Sequence, residues 1–394
     1  MGGVSMEWKE VDICQLCDSI SETYKGNASE VVLINTSDVL NGKCLNHEYV
    51  PNKKLKGQFK KTFRKGDILY SEIRPANKRF CFVDFEPKDY IASTKLMVLR
   101  AHEDVNPQYL YQILRSNDTL AQLQILAESR SGTFPQITYS ELSNIKISLP
   151  SQKTQKNIVS ILSSLDCKIE LNNKINADLE EMVQVIFKNW FVDFEPFKDG
   201  KFVDSELGMI PEGWKVGGLF DIAEIFDKKR KPLSGNVREK MDKIYPYYGA
   251  TSCMDYVDDY IFDGIYTLIG EDGSVVKENG LPYMQYVWGK MWVNNHAHIL
   301  QGKNGYSTEM IHALLSITNI KFLVTGAVQA KLSQGNMQKI LVAIPPKNVL
   351  DEIRPVIDNL YSKIRINTDE NSRLSLLRDT LLPRLMSGEL EIPE

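Results

Sequence analysis

The chain has 394 residues, a formal net charge of −4, 43% hydrophobic residues and 25% charged residues. This composition indicates a globular protein of about two to three domains and excludes a disordered or uniformly basic chain. No apolar run approaches the roughly 18 residues that span a bilayer. The N-terminal MGGVSMEWKE lacks a signal pattern, so we expect a cytoplasmic protein without membrane segments.

Residues 1–150 form the first predicted globular unit. Hydrophobic segments around residue 68 and at 90–99 predict strands. A helix is expected to begin at Asn106–Pro107, because asparagine caps helices and proline is tolerated in their first turn. The unit therefore mixes strands and helices.

The charged residues of this unit are unevenly distributed. No acidic residue occurs between Glu48 and Asp67, whereas basic residues are frequent there and again soon afterwards. Such a run is typical either of a solvated surface or of a surface that contacts DNA phosphates. Gly132 lies in a further loop where the chain could approach DNA closely. The predicted DNA-contacting residues are Lys53, Lys54, Lys56, Lys60, Lys61, Arg64, Arg74, Lys78, Arg79, Arg130, Thr133 and Gln136.

The stretch 151–196 has the pattern of a long helix followed by a linker. Its apolar residues alternate at spacings of four and three, which is the a/d seam of a coiled coil. Two seam positions carry asparagine, which fixes helix register at a cost in stability. Alternatively, these positions face solvent or a helix of another protein. The predicted seam residues are Ile158, Leu162, Leu165, Ile169, Asn172, Asn176 and Leu179.

Residues 197–345 form the second predicted globular unit. Strands are expected around residue 267 and at 290–300, and a helix start at Ser307–Thr308. A basic run and two adjacent tyrosines are candidates for a DNA-reading surface, although the tyrosines suit an aromatic core equally well. These candidates are Lys228, Lys229, Arg230, Lys231, Tyr247 and Tyr248.

The stretch 346–394 repeats the helical pattern of the first, 195 residues later, with asparagines at equivalent positions. The repeated seam is Ile353, Ile357, Leu360, Ile364, Asn367, Asn371 and Leu374. Trp8 and Trp214, and the segments that end at Pro150 and Pro345, also correspond. We therefore predict an internally duplicated α+β protein, in which two globular α/β units are separated by two long helices. Packing of these helices as an antiparallel coiled coil would create a pseudo-two-fold axis.

The sequence lacks recognisable catalytic motifs. It has no phosphate-binding loop, dinucleotide fingerprint, nucleophile elbow or zinc-protease helix motif. Cys14–Cys17 and the pair His296 and His298 are potential metal ligands, but a tetrahedral zinc site needs four ligands. We predict a chain without metal, cofactor or catalytic residues of its own.

Four segments, in order, resemble the specificity subunits of type I restriction–modification systems. They are PSQKTQKNIVSILSSLD at 150–166, FKNWFVDFEPF at 187–197, ELGMIPEGWKV at 206–216 and LLRDTLLPRLMSGEL at 376–390. The resemblance extends over the whole chain. The two globular units match no quotable pattern and resemble the variable target-recognition domains of this family, so their base-contacting residues cannot be transferred by motif.

The resemblance implies a non-catalytic subunit. Each recognition domain would read one half of a split, asymmetric target in double-stranded DNA, and the helices would set the spacer. The subunit would dock two methyltransferase (modification) subunits that use S-adenosylmethionine. Restriction/translocase subunits that require ATP and magnesium would join them. The alternative is a stand-alone coiled-coil DNA-binding regulator or scaffold without methyltransferase partners.

Overall fold

The first structural unit, unit 1, comprises Met1–Glu170 and Glu370–Glu394, and the second, unit 2, comprises Leu171–Asp369. The computed structural model describes residues 8–53, 57–129, 135–326 and 329–390. The sequence-based domain boundaries lie at 150, 196 and 345, whereas each structural unit includes parts of both long helices.

Unit 1 contains twelve strands among its described residues, most of them short. They are β1 (Lys9–Asp12), β2 (Cys17–Ile20), β3 (Glu30–Ile34), β4 (Val39–Leu40), β5 (Lys43–Cys44), β6 (Val50–Pro51), β7 (Phe59–Lys61), β8 (Ile68–Ser71), β9 (Phe80–Phe82), β10 (Tyr90–Ser93), β11 (Leu96–Ala101) and β12 (Lys146–Leu149). The helices are α1 (Pro107–Leu114), α2 (Asn117–Glu128), α3 (Tyr139–Ser143), the first part of α4 (Gln152–Phe191) and the last part of α9 (Lys347–Met386).

Two four-stranded sheets organise unit 1, with strand orders β2–β11–β8–β9 and β6–β3–β10–β7. The single strand predicted at 90–99 is wrong: a turn at Thr94–Lys95 divides it into β10 and β11, which belong to different sheets. Strand β1 pairs with β12 just before α4 begins. This pairing brings the start of the unit to the start of the long helix.

Helix α1 begins where the sequence predicts it. The side chain of Asn106 accepts hydrogen bonds from the amides of Gln108 and Tyr109, and Pro107 is the first helical residue. Its apolar face packs into a core that includes Tyr109, Ile158 and Leu162. The core thus joins the sheet domain to α4.

Unit 2 has the same order of main elements, with longer strands. Its strands are β13 (Phe202–Val203), β14 (Ile210–Pro211), β15 (Lys215–Gly218), β16 (Ala223–Ile225), β17 (Tyr245–Tyr248), β18 (Cys253–Val257), β19 (Phe262–Gly270), β20 (Met284–Val293), β21 (Ala297–Gly302) and β22 (Leu341–Ile344). The helices are α5 (Leu219–Ile222), α6 (Gly235–Arg238), α7 (Thr308–Ser316), α8 (Gln334–Met337) and parts of α4 and α9 (Lys347–Met386).

A six-stranded sheet of order β16–β21–β19–β20–β17–β18 forms the centre of unit 2. The strand predicted at 290–300 is in fact two strands, β20 and β21, because the backbone turns at Asn294–His296. Strand β15 pairs with β22 as β1 pairs with β12. Ser307 caps α7 by accepting a hydrogen bond from the amide of Met310, as the sequence predicts.

The long helices α4 and α9 each contain 40 residues, slightly more than the expected length of about 36. In unit 1, the first part of α4 packs against the last part of α9, and Ile158 and Leu162 share a core with Leu382 and Leu385. In unit 2, the last part of α4 packs against the first part of α9. The two helices are therefore antiparallel in each unit. None of the helices in the described ranges has an apolar stretch long enough to cross a membrane.

Candidate nucleic-acid interface

A strained turn in unit 1 presents two basic side chains. Pro75–Asn77 is a single 3-10 turn, and Arg74 and Lys78 on either side of it have φ angles of +45° and +52°. Residues other than glycine rarely adopt such angles, and strain of this kind often occurs at functional sites. The side chain of Gln124 accepts a hydrogen bond from the amide of Ala76 at 3.0 Å and supports the turn. Both basic residues are exposed, and Arg74 also has a contact within the protein.

The backbone of a second segment holds this turn in place. The amide of Arg74 donates to the carbonyl of Pro135 at 3.0 Å, and the amide of Ile137 donates to the carbonyl of Glu72 at 2.8 Å. Between these bonds, Ile73 and the exposed Gln136 form an isolated bridge. We call residues 72–74 and 135–137 the unit 1 clamp. In this clamp, Gln136 lies opposite Ile73, which directly precedes Arg74.

Arg79 has a structural contact at the end of the turn. Its guanidinium donates to the carbonyl of Ser37 at 2.9 Å, and the side chain is half-buried. Of the predicted contacts in this region, Arg130 and Thr133 lie outside the described residues.

The predicted basic run at 53–65 is divided between the surface and the interior. Lys53, Lys60 and Arg64 are exposed. Lys61 differs from its predicted role, because its ammonium donates to the carbonyl of Leu96 at 2.8 Å and burial lowers its pKa. One of its three N–H donors is therefore used within the protein. Lys54 and Lys56 lie outside the described residues.

The basic run of unit 2 is divided in the same way. Lys228, Lys229 and Lys231 are exposed, and the Lys229 ammonium lies 5.1 Å from the centre of the Phe226 ring. Arg230 does not fit the predicted phosphate contact, because its guanidinium is paired internally. It lies 2.6 Å from the Glu271 carboxylate and 3.3 Å from that of Asp227.

Arg230 belongs to a buried ion network rather than to a metal site. Ligand atoms of Asp227, Glu271 and His298 lie within 4.8 Å of one another, a spacing that a metal ion could bridge. However, the Arg230 guanidinium already supplies the positive charge. His298 bonds Asp227 through Nδ1 at 2.5 Å and the carbonyl of Leu332 through Nε2 at 2.6 Å. The arrangement is satisfied without a metal.

The two predicted tyrosines face the interior. Tyr247 is only 2% exposed, its hydroxyl accepts from the amide of Leu233 at 3.0 Å, and the Arg238 guanidinium covers its ring at 4.9 Å. Tyr248 is half-buried, and burial raises its pKa to about 12. The structure therefore agrees with the alternative that these tyrosines form part of an aromatic core.

The predicted seam residues are all buried or half-buried. Asn172 and Asn367 are 1% and 3% exposed. The side-chain amide of Asn367 donates to the carbonyl oxygen of the Asn176 side chain at 2.8 Å, and Asn176 donates to the hydroxyl of Thr368 at 3.1 Å. These polar contacts join α4 and α9 within unit 2.

A charged cluster in unit 1 was not foreseen. Asp166 on α4 pairs with Arg378 on α9 at 2.8 Å and with Arg115, just beyond α1, at 2.9 Å. An available signal was Arg378 itself, which follows the seam residue Leu374 at a spacing of four, where the first copy has the apolar Val183. The supporting role of Gln124 was also missed. Gln124 and Ala76 are 48 residues apart, so the sequence gives no sign that they are hydrogen-bonded.

Comparison with known proteins identifies the class. The family model described as "Type I restriction modification DNA specificity domain" matches twice, at residues 6–181 and 211–376. The chain belongs to this family and is a specificity subunit of a type I restriction–modification system. Subunits of this kind are non-catalytic, bind DNA and assemble with other restriction–modification subunits.

Individual relatives match most of the chain or nearly all of it. The type I restriction enzyme HindI specificity subunit of Haemophilus influenzae is 31% identical, with 98% of this chain and 100% of the relative covered. The MjaIX specificity subunit of Methanocaldococcus jannaschii is 26% identical over 84% of this chain and 79% of its own. A crystal structure of a type I restriction–modification S subunit from M. genitalium shares the fold, with a TM-score of 0.54, 17% identity and coverage of 98% of this chain and 97% of that one.

Proposed function

We propose that the subunit reads a split, asymmetric target in double-stranded DNA, with one half-site for each globular domain. The recognition domains are residues 1–150 and 197–345. The observation that supports this proposal is that the two units share a sheet framework but differ in the loops on it. The sheet order β2–β11–β8–β9 in unit 1 corresponds to β16–β21–β19–β20 in unit 2. The connecting loops differ in length and side chains, as domains that read different bases require.

Within the first domain, two kinds of contact are assigned. Exposed Lys53, Lys60, Arg64 and Lys78 would contact phosphates, which position the domain but carry no sequence information. Arg74 and Gln136 on the unit 1 clamp would contact bases, because arginine pairs with guanine and glutamine with adenine in the major groove. In the second domain, Lys228, Lys229 and Lys231 are the phosphate candidates.

The helical regions 151–196 and 346–394 would set the spacer and dock the partners. Their surfaces carry apolar side chains that the chain itself leaves uncovered. Exposed examples are Leu171, Met182, Val185, Val356, Ile366, Leu376 and Leu377. Exposed apolar side chains of this kind are candidates for coverage by another protein. We assign two modification subunits to it, and restriction/translocase subunits to the larger complex. S-adenosylmethionine, ATP and magnesium would be bound by those partners.

Exchange of one recognition domain tests the proposal that each domain reads its own half-site. Residues 1–150 are replaced by those of a relative, the chain is coexpressed with its modification subunits, and methylated sites are mapped by single-molecule sequencing. We expect one half-site to change and the other to remain. A change in both half-sites, or failure to assemble with any modification subunit, contradicts the proposal and favours the stand-alone regulator.

A matched insertion tests the spacer. One heptad is added to α4 between Asn172 and Asn176 and one to α9 between Asn367 and Asn371, which preserves the seam in both helices. Seven residues lengthen a helix by about 10 Å, which corresponds to at most about three base pairs of DNA. A longer spacer between unchanged half-sites is expected. An unaltered spacer in an assembly that still methylates excludes the helices as the determinant of its length.

A further inference from the structure

Unit 2 contains a clamp with the same backbone geometry as the unit 1 clamp. The amide of Gly273 donates to the carbonyl of Ala330 at 2.9 Å, and the amide of Leu332 donates to the carbonyl of Glu271 at 2.8 Å. Between these bonds, Asp272 and Lys331 form an isolated bridge. We call residues 271–273 and 330–332 the unit 2 clamp.

The two clamps also occupy the same place in their sheets. Glu72 follows the last residue of β8, and Glu271 follows the last residue of β19. At the other arm, Ile137 precedes Thr138, the N-cap of α3, and Leu332 precedes Ser333, the N-cap of α8. The correspondence therefore includes strands, hydrogen bonds and helix caps.

The backbone conformation agrees at the position that follows the bridge. Arg74 has a φ of +45° and Gly273 has a φ of +77°, so both lie in the left-handed region. Glycine adopts this conformation without strain but provides no side chain. In unit 2, the cationic side chain is instead Lys331, at the position equivalent to Gln136.

The surroundings of Lys331 leave its ammonium near solvent. Its side chain is 54% exposed and lies 3.6 Å from the Glu271 carboxylate, which Arg230 also neutralises at 2.6 Å. Across the bridge, the Asp272 carboxylate is paired with His296 at 2.5 Å. The acidic groups of the clamp thus have other partners, and Lys331 can donate outward.

We propose that Lys331 determines one base of the half-site read by the second domain, and that this base is guanine. This inference rests on the proposed function. A lysine ammonium donates to the O6 and N7 acceptors that guanine presents in the major groove. The unit 1 clamp presents Arg74 and Gln136 in the same frame, so each clamp carries its own donor set. Unlike donor sets give unlike half-sites.

The test compares four variants in complexes with the modification subunits, with methylated sequences mapped for each. Lys331→Ala should reduce the preference for guanine at one position of one half-site by about tenfold to a hundredfold and leave the other half-site unchanged. Lys331→Arg should keep the preference. Lys331→Gln should shift it to adenine, a gain that misfolding cannot produce. Lys339→Ala, which removes an exposed charge elsewhere in unit 2, should change nothing.

Two results are decisive against the inference and distinct from a failure of the proposed function. If Lys331→Ala and Lys331→Gln both methylate the original motif, Lys331 does not determine a base. If either variant alters both half-sites, the unit 2 clamp does not act on a single half-site. By contrast, a wild-type complex whose methylated motif is not split overturns the proposed function itself.

Discussion

Asn367 donates a hydrogen bond to the side chain of Asn176 across the seam between α4 and α9, at 2.8 Å. An amide pair among apolar residues costs stability relative to leucine, but it penalises any shift of one helix along the other. A shift would leave the buried Asn367 amide without its acceptor. The pair therefore fixes the register of the helices in unit 2.

Substitutions at this pair should separate stability from register. Asn176→Leu alone should lower the free energy of unfolding by about 1–3 kcal/mol, because it leaves the Asn367 amide buried without its acceptor. Asn176→Leu combined with Asn367→Leu should recover that loss. Urea unfolding of both single variants and the double variant measures the coupling, with exposed Asn189→Leu as control. Additive effects in this cycle would contradict the pairing.

Lys78 should act on affinity rather than on specificity. Lys78→Gln would remove the proposed phosphate contact, so DNA affinity should fall equally for all sequences. The slope of log K against log salt should decrease by about one unit. Titration of labelled duplexes between low and moderate salt gives this slope, and exposed Lys88→Gln serves as the control. A changed methylation motif would instead assign Lys78 to base contact.

Arg230 and Lys228 lie two residues apart, but substitution of Arg230 should affect stability and substitution of Lys228 should affect DNA binding. Arg230→Ala leaves the carboxylates of Asp227 and Glu271 without their guanidinium and should cost about 3 kcal/mol of unfolding free energy. Lys228→Ala should change stability by less than about 0.5 kcal/mol and weaken DNA binding. Chemical unfolding and DNA titration of both variants distinguish these roles. Equal stability of the two variants would count against the buried network.

His312 should make the protein sensitive to mild acid. It packs against the rings of Tyr286 and Tyr361, and burial, assisted by the charge of Lys277, lowers its pKa to about 4. Unfolded histidine has a pKa near 6.5, so below that pH the unfolded chain binds a proton that the folded chain does not. Stability is fully present above about pH 6.5. It should fall by about 1.4 kcal/mol for each pH unit down to about pH 4.

Thermal unfolding from pH 7.5 to 4.5 tests this. His312→Gln should flatten the pH dependence in that interval, whereas His102→Gln, at a histidine of unit 1 that lies 3.2 Å from Asp18, should retain it. An identical slope in the wild type and in His312→Gln would show that another group is responsible.

The sequence predicted local features better than interior partners. The spacing of apolar residues located both long helices, and the caps Asn106 and Ser307 located α1 and α7, because these signals lie within a few residues of each other. The turns at Thr94–Lys95 and Asn294–His296 were missed, since short polar interruptions also occur within strands.

The candidate site was harder to predict. Arg230 and Lys228 belong to one basic run, and only the partner Glu271, forty-one residues further on, separates them in the fold. Tyr247 similarly gave no sign of whether it faced DNA or the core. The clamps depend on hydrogen bonds between distant backbone segments, which no local pattern encodes. The repeat itself was visible, but the loops that differ between its copies could not be aligned by sequence.

The clamp bonds have a consequence for how such a protein can acquire new targets. In both units they join main-chain amides and carbonyls, so the frame does not depend on the side chains at 73 and 136 or at 272 and 331. A substitution at these positions changes the donors and acceptors that are displayed without changing the scaffold that displays them. Under the proposed function, new DNA preferences would therefore arise one residue at a time and in either half independently, while the backbone frame of the clamps is kept.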